Sequence, residues 1–589
     1  MQGHIEWAKT NGRRLVSTDI SDDVVKETAE KLSGMTPEEV IESRRSVMHD
    51  IRRRAASSRK SADEMLSRLP KHVQHVLSSC GRINKVNLIL LKELGDKYYP
   101  EGIDELIRDL KQGFPLVGDI PVEKRAKKGK YKTIDIGLAE LRRRSAGICR
   151  ATLKKKPGHE LSREDLSNII QQTSDEIYLG RMTPFKEPDI NGEFPFTRRF
   201  AVKQLSGKGG FKLRCIDDYL RSEINDATGV DGTIPMGKIS DLLGSAAILS
   251  QSRSAQSATG DDLVIIKSDF RAAYRSCPIL TEHLGLSRIV VWDADQGRYI
   301  ETSHNAMPFG ALAAVYAWDR LGAALQAILS RALTAPINRY VDDLFTISYN
   351  KGSDELREFI VEIIDLLGFT LDWDKTPPPA GEQTILGVRI AIRRNKVRGV
   401  QHYKADLSVD ECKAINWSKQ LQEVLSSGTL SCKLAQKFAG RLNFIAYSIL
   451  GPLGTSKLRH IYTASYRNKD VELSYDLREE LLWWLSYLRH LPKSTIKIWP
   501  LQDGVPILYT DAEGYGGLGA VSILSNTTLW FRTNVKSIAK RQLAPRKTQI
   551  IAYEMLAALQ GLSRFCQDFA NRDVILFIDN MSAKGSIRK

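Results

Sequence analysis

The stretch "NRYVDDLFTIS", Asn338–Ser348, decides how the rest of the chain is read. Two adjacent aspartates stand between Tyr340–Val341 and the apolar Leu344–Phe345, in a run that otherwise reads as strand. Aspartate is depleted in strands, and neighbouring carboxylates repel. A hairpin tip would tolerate the pair, since aspartates are frequent in turns. A bound cation would give it a purpose. Successive strand residues face opposite ways, so Asp342 and Asp343 are inequivalent ligands unless a turn redirects one.

A partner for the pair lies upstream. "DDLVIIKSDFRAAY" carries an apolar strand, Leu263–Ile266, that runs out into Asp269, with Tyr274 shortly beyond. A carboxylate at the end of a buried strand is fixed in position while its tip faces solvent. Three carboxylates suit Mg²⁺, which prefers acid oxygens, water and substrate phosphates. Two such ions about 4 Å apart assist an in-line displacement at phosphorus. Asp342 is the better bridging ligand, with Asp343 supporting the ion on the hydroxyl side.

The ordered set "DFRAAY", "MPFG", "YVDD", "WDKTP" and "ILGVRI" resembles the motifs of retroelement reverse transcriptases. The resemblance implies that Asp269, Asp342 and Asp343 are metal-binding catalytic acids and that Tyr274 is the aromatic gate crowding the ribonucleotide 2′-position. It implies that Phe309 and Gly310 lie against the incoming nucleotide and template, and that Leu386 and Gly387 position the primer end. Lys375 matches a lysine that protonates pyrophosphate; a plain surface lysine is the alternative. Upstream, "FKLRCIDDYLRSEIN" resembles the fingers segment that holds the triphosphate. Arg214 is the better match and Lys212 the second, with Lys203 and Lys208 as alternatives. Asp217 and Asp218 read as structural. The glycine-rich "SGKGG" before them lacks the P-loop pattern and suits a mobile hairpin.

A second set of acids follows. "ILYTDAEGYGGLGAVSIL" is strand, Asp511, glycine-rich turn and strand; Glu554 sits in the helical "IIAYEMLAALQGL"; Asp579 ends "DVILFIDN". Singly, Asp511 reads as a turn residue, Glu554 as a solvated helix face and Asp579 as a helix cap. Together the pattern resembles ribonuclease H, which implies three metal ligands and cleavage of the RNA strand of a hybrid. That family places a further acid, and usually a histidine, downstream, whereas the sequence ends at "NMSAKGSIRK". The expectation is a truncated ribonuclease H-like domain of doubtful activity. The helical "LAQKFAGRLNFIAYSILGPLGTSKLRHIY" and "REELLWWLSYL" resemble DIRS-like, tyrosine-recombinase retroelements more than the retroviral type, and the chain as a whole is most like DIRS-like or LTR-type retrotransposon polymerases.

Bulk properties agree with such a reading. The chain has 589 residues, 42% hydrophobic and 26% charged, enough for several cores, and a formal charge of +16 that calls for an anionic partner. Seven scattered cysteines with no CxxC pair suit a reducing compartment. The N-terminal segment lacks the apolar core of a signal peptide, and Ala311–Leu329, broken by Asp319 and Arg320, reads as a buried helix. An intracellular soluble protein, cytoplasmic or nuclear, is expected. Pro121–Lys156 holds 13 Lys or Arg against 3 Asp or Glu, a solvated face, an import signal or a phosphate grip.

The expected fold is α+β: a right-hand polymerase with fingers and palm at 106–400 and a helical thumb or connection at 401–498. A solvated helical extension precedes it at 1–105, and a partial α/β ribonuclease H-like domain follows at 499–589. The implied partners are an RNA template, a DNA primer, the RNA–DNA hybrid and dNTPs, with no membrane. The implied cofactor is Mg²⁺, two ions at the polymerase site and two at an active second site. A catalytically dead nucleic-acid-binding relic and an RNA-dependent RNA polymerase are the alternatives, and Tyr274 argues against the latter.

Overall fold

The computed structural model describes residues 20–157, 161–205, 211–252, 262–397, 400–450, 452–467, 469–498, 505–524, 527–543, 548–569 and 574–588. The chain divides into two compact units, one spanning Thr18–Gln401 and the other containing His402–Lys589. Both mix helices and strands, so the class is α+β.

In the first unit the strand Leu263–Asp269 pairs antiparallel with Asp343–Tyr349, which pairs in turn with Asn338–Tyr340. The middle strand is buried from Leu344 to Tyr349, and Leu263–Ile266 is buried throughout, which explains their nearly continuous apolar runs. Against this sheet lies the helix Leu312–Leu333, apolar on almost every side and therefore enclosed. Its Asp319 and Arg320 are buried in ion pairs with Arg339 and Asp109. A second sheet runs Phe211–Asp217, Thr197–Leu205, Arg288–Asp293, Arg298–Ser303. The helix Ser353–Leu367 stops at Gly368, as its sequence suggests.

The N-terminal helices depart from expectation. Helix Pro37–Ser67 starts with the capping box of Thr36 and Glu39, but it does not stand in solvent. It buries Val40, Arg44, Met48, Ile51, Ala55, Ser58, Ala62 and Leu66, one residue per turn along a narrow stripe. Met48, Ile51 and Leu66 share one core with Leu329 and Leu333, and Arg44 Nε donates to the Leu333 carbonyl at 2.8 Å. A stripe this narrow, with two polar members, is hidden by the surrounding charge. The solvated extension is thus overturned: these helices are the outer wall of the first unit's core. The basic block is also ordered in part, with strand Lys127–Lys132 against Thr228–Thr233 and helix Leu138–Lys154 burying Leu141 and Cys149.

The second unit includes the helices Glu411–Ser427, Cys432–Ile445, Arg459–Ser465 and Tyr475–His490. In the last, Trp484 is fully buried while Trp483 is half-buried and stacks on Tyr487. A four-stranded sheet follows, ordered Thr528–Asn534, Gly517–Ile523, Ile507–Ala512, Ile575–Ile578, with helix Ile550–Arg564 packed on it. No described helix is long and apolar enough to cross a membrane.

Met48→Ala tests the N-terminal wall. Truncating a fully buried methionine costs about 2–5 kcal/mol, read as a lower urea midpoint; a change below about 0.5 kcal/mol would return the helix to solvent.

Candidate active sites

Tyr340 and Asp343 are cross-strand partners, so Val341 and Asp342 make a two-residue turn. Val341 has φ +56°, the left-handed region, at the position where turns of this kind normally place glycine. For a β-branched residue the strain is of order 1–3 kcal/mol. The surroundings enforce it. The Val341 carbonyl accepts from Trp318 Nε1 at 2.8 Å and from Arg339 Nη1 at 3.1 Å. Arg339 is in turn paired with buried Asp319. On the other side, Phe270 N donates to the Asp342 carbonyl at 2.9 Å. The turn therefore redirects the acids. Asp343 opens its strand directly opposite Asp269, and Asp342 stands beside them on the turn.

Crowding marks the two acids of the turn. Burial, followed by the charges of Asp269 and Asp342, pushes the Asp343 carboxyl up to about 7. Asp342 is raised as well, by burial and by Asp269, while Lys375 and Arg214 oppose the rise. Lys375 is no bystander: its Nζ lies 2.8 Å from Asp269 Oδ1 and 3.7 Å from Asp372 Oδ2. Burial alone would depress this ammonium, but its bond to Asp269 and the nearby carboxylates raise it. Asp372 also donates its backbone N–H to the Asp269 carbonyl at 2.8 Å, which ties the lysine segment to the acid strand. Three carboxylates, two of them driven towards protonation, offer the oxygen donors a hard divalent cation takes, although as placed they do not all lie within 4.8 Å of one another.

Tyr274 and Phe309 lie together, ring centroids 5.1 Å apart, and Phe309 is 45% exposed. Gly310 has φ +111°, and a Cβ there would meet the Asp217 carbonyl oxygen at 2.1 Å, so no other residue fits. Lys212 and Arg214 are exposed on one face of the strand Phe211–Asp217. The charge of Arg214 reaches Asp342. Lys203 is engaged by Asp165 at 2.7 Å; Lys208 and the "SGKGG" stretch fall outside the described residues. Asp217 is buried between Arg199 and His304, a structural placement. Leu386 and Gly387, φ +53° and +84°, form the two-residue turn between Glu382–Ile385 and Val388–Val397. That hairpin flanks the Asp269 strand, with Lys267 Nζ donating to the Thr384 carbonyl at 3.0 Å.

In the second unit, the strand Ile507–Ala512 runs parallel to Ile575–Ile578, with Thr510 opposite Ile578. The next residues, Asp511, still paired with Gly519, and Asp579, just past its strand, therefore stand side by side. Helix Ile550–Arg564 adds Glu554, and one oxygen from each acid lies within 4.8 Å of the others. Among the described residues this is the acid group that meets that spacing; Asp269, Asp342 and Asp343 do not. Glu554 is 3% exposed, its Oε2 is buried with no hydrogen-bond partner among the described residues, and its carboxyl is raised to about 7 by burial and then by Asp579 and Asp511. An orphaned buried oxygen facing two more acids fits a cation. Asn580 caps the following helix, its Oδ1 accepting from Ser582 N and Ala583 N, so Asp579 is not its cap.

No protein-family model and no curated protein matches the sequence. Among solved structures, a foamy viral protease-reverse transcriptase dRH in complex with dsDNA is similar at 13% identity and TM-score 0.43, over 87% of this chain and 75% of that one. The foamy viral protease-reverse transcriptase with an RNA/DNA hybrid gives 13% and 0.40 over 82% and 56% of the two chains. The same enzyme with dsDNA gives 14% and 0.39 over 85% and 90%. Likeness at this level carries no weight for function, which has to come from residues and geometry.

The raised Asp343 fixes the sign of a pH effect. Its carboxyl ionises more readily in the unfolded chain, so it costs stability increasingly from about pH 4 and fully above about pH 7. Without divalent cations, Asp343→Asn should melt higher than the parent, the gap opening above pH 4 and levelling off above pH 7. Mg²⁺ should narrow the gap by stabilising the parent. Equal melting temperatures at pH 8 would contradict the crowding.

Proposed function

We propose that the chain is an RNA-directed DNA polymerase of retrotransposon type, extending a primer 3′-hydroxyl with dNTPs. The observation that carries this is the pairing of Asp343 with Asp269 across two strands, with Asp342 held beside them on a strained turn. In this reading 106–400 are fingers and palm, 401–498 a thumb or connection, and 499–589 a ribonuclease H-like domain. The helices before 106, which share the first unit's core, belong with the palm in this reading.

Asp269 and Asp342 would hold two Mg²⁺ ions, with Asp343 supporting the one nearer the primer hydroxyl. Bound Mg²⁺ would supply Lewis-acid stabilisation of the attacking and leaving oxygens. The chain's own groups do the rest. Arg214, and second to it Lys212, grip the triphosphate from the fingers strand. Tyr274 and Phe309 wall the sugar, which disfavours a 2′-hydroxyl. Lys375, already beside Asp269, is placed to give a proton to departing pyrophosphate. The Leu386–Gly387 turn supports the primer end. Asp511, Glu554 and Asp579 would hold a second pair of ions for cleavage of RNA in the hybrid, and the orphaned Glu554 oxygen supports that assignment. The net charge of +16 suits template, primer and hybrid as partners inside the cell.

Extension of oligo(dT) on poly(rA) with dTTP and Mg²⁺ tests the reading. Asp342→Asn should lower the rate by at least about a hundredfold, since loss of even a supporting residue at a metal site costs 10–100-fold. Salt-dependent primer–template binding with no incorporation by the parent would favour a dead relic instead. Undiminished extension by the variant would contradict the assignment of the acids.

A further inference from the structure

Behind the aromatic pair lies a string of buried ionisable groups that the proposed chemistry does not use. Arg199 forks onto Asp217, Nε to Oδ1 at 2.8 Å and Nη2 to Oδ2 at 3.0 Å. The other face of Asp217 meets His304, Nε2 to Oδ2 at 2.9 Å. His304 Nδ1 lies 3.0 Å from Arg275 Nη1, and Arg275 Nε reaches Glu176 at 2.6 Å. His304 is fully buried, Asp217 2% and Arg275 4% exposed.

The proton positions follow from the donors. A guanidinium only donates, so Nδ1 facing Arg275 has to accept, and Nε2 has to carry the proton given to Asp217. His304 is therefore neutral and held in a single tautomer. Burial, with Arg275 and Arg199 nearby, lowers its pKa to about 4 despite Asp217. Apolar residues would fill such a pocket at comparable stability, so a buried ionic string is poor value as glue alone. Its use lies in where its ends attach.

One end holds the tyrosine segment. Arg275 follows Tyr274 in the chain and ties it to the segment leading to Phe309, its Nη1 donating to the carbonyls of Ala306 at 2.8 Å and Met307 at 3.1 Å while it also faces His304. The other end holds the phenylalanine segment: Asp217 N donates to the Phe309 carbonyl at 3.1 Å. Two aromatic residues from separate segments are thus referenced to one imidazole. We infer that His304 is a positioning residue for nucleotide selection, bridging Arg275 and Asp217 so that Tyr274 and Phe309 close on the sugar at a fixed separation. The inference rests on the polymerase reading. Rejecting a hydroxyl requires a wall placed within about 0.5 Å, which only a supported side chain provides.

The test compares kcat/KM for dATP and ATP on poly(rU) with an oligo(dA) primer. His304→Leu, with melting temperature recorded, should lose at least about tenfold of the deoxy preference, mostly through KM. His304→Gln, whose amide can donate to Asp217 and accept from Arg275, should recover most of it. If the leucine variant does not fold, His304→Asn, which reaches one partner only, is read the same way. A general loss of stability would lower both substrates together and leave the ratio unmoved. Unchanged preference in a folded His304→Leu or His304→Asn, while Tyr274→Ala relaxes it, overturns this inference alone. A parent protein that incorporates neither nucleotide overturns the polymerase reading and this inference with it.

Discussion

A buried ion pair carries the geometry of the first site. Arg339, in the strand before the turn, is paired with Asp319 in the enclosed helix Leu312–Leu333. From that anchorage it donates to the Val341 carbonyl, alongside Trp318 from the same helix. A valine in the left-handed region persists only where the fold over-determines it. Removing either partner of a buried pair leaves an uncompensated charge, a loss of about 3–5 kcal/mol. The helix therefore does more than fill the core. It sets the strained turn, and the turn sets Asp342 and Asp343 against Asp269.

Both acid groups follow one physical plan in unrelated surroundings. Each places carboxylates at strand ends, where the backbone is fixed and the side chain is half-open, and each drives one acid to a pKa of about 7. Such crowding has no structural benefit without a cation to relieve it. They differ in what meets the acids at present. Lys375 neutralises Asp269 in the first group, whereas Glu554 Oε2 in the second has no hydrogen-bond partner among the described residues. In the proposed reading Lys375 would have to release Asp269 before that carboxylate could hold an ion.

Much of this was legible in the residues. The paired strands around "YVDD" and "SDF", the enclosed helix broken by Asp319 and Arg320, the helix stop at Gly368 and the gathering of Asp511, Glu554 and Asp579 all follow from pattern and order. The N-terminal wall was not legible, because one buried residue per turn in a helix rich in arginine and glutamate resembles a solvated face. Nor was the support of the turn. Trp318 and Arg339 act through backbone carbonyls, and neither a tryptophan in an apolar helix nor an arginine in a strand signals such a bond. The His304 bridge was hidden for a related reason: its members lie far apart in sequence and each has an ordinary local reading.

The most direct measurement is the structure of the chain with an RNA template, a DNA primer, a non-hydrolysable dNTP and Mg²⁺. The account predicts two cations held by Asp269 and Asp342, the Lys375 ammonium moved from Asp269 towards the phosphates, and the sugar edge against Tyr274. A nucleotide bound elsewhere, with Lys375 still on Asp269 and no cation between the acids, would contradict it.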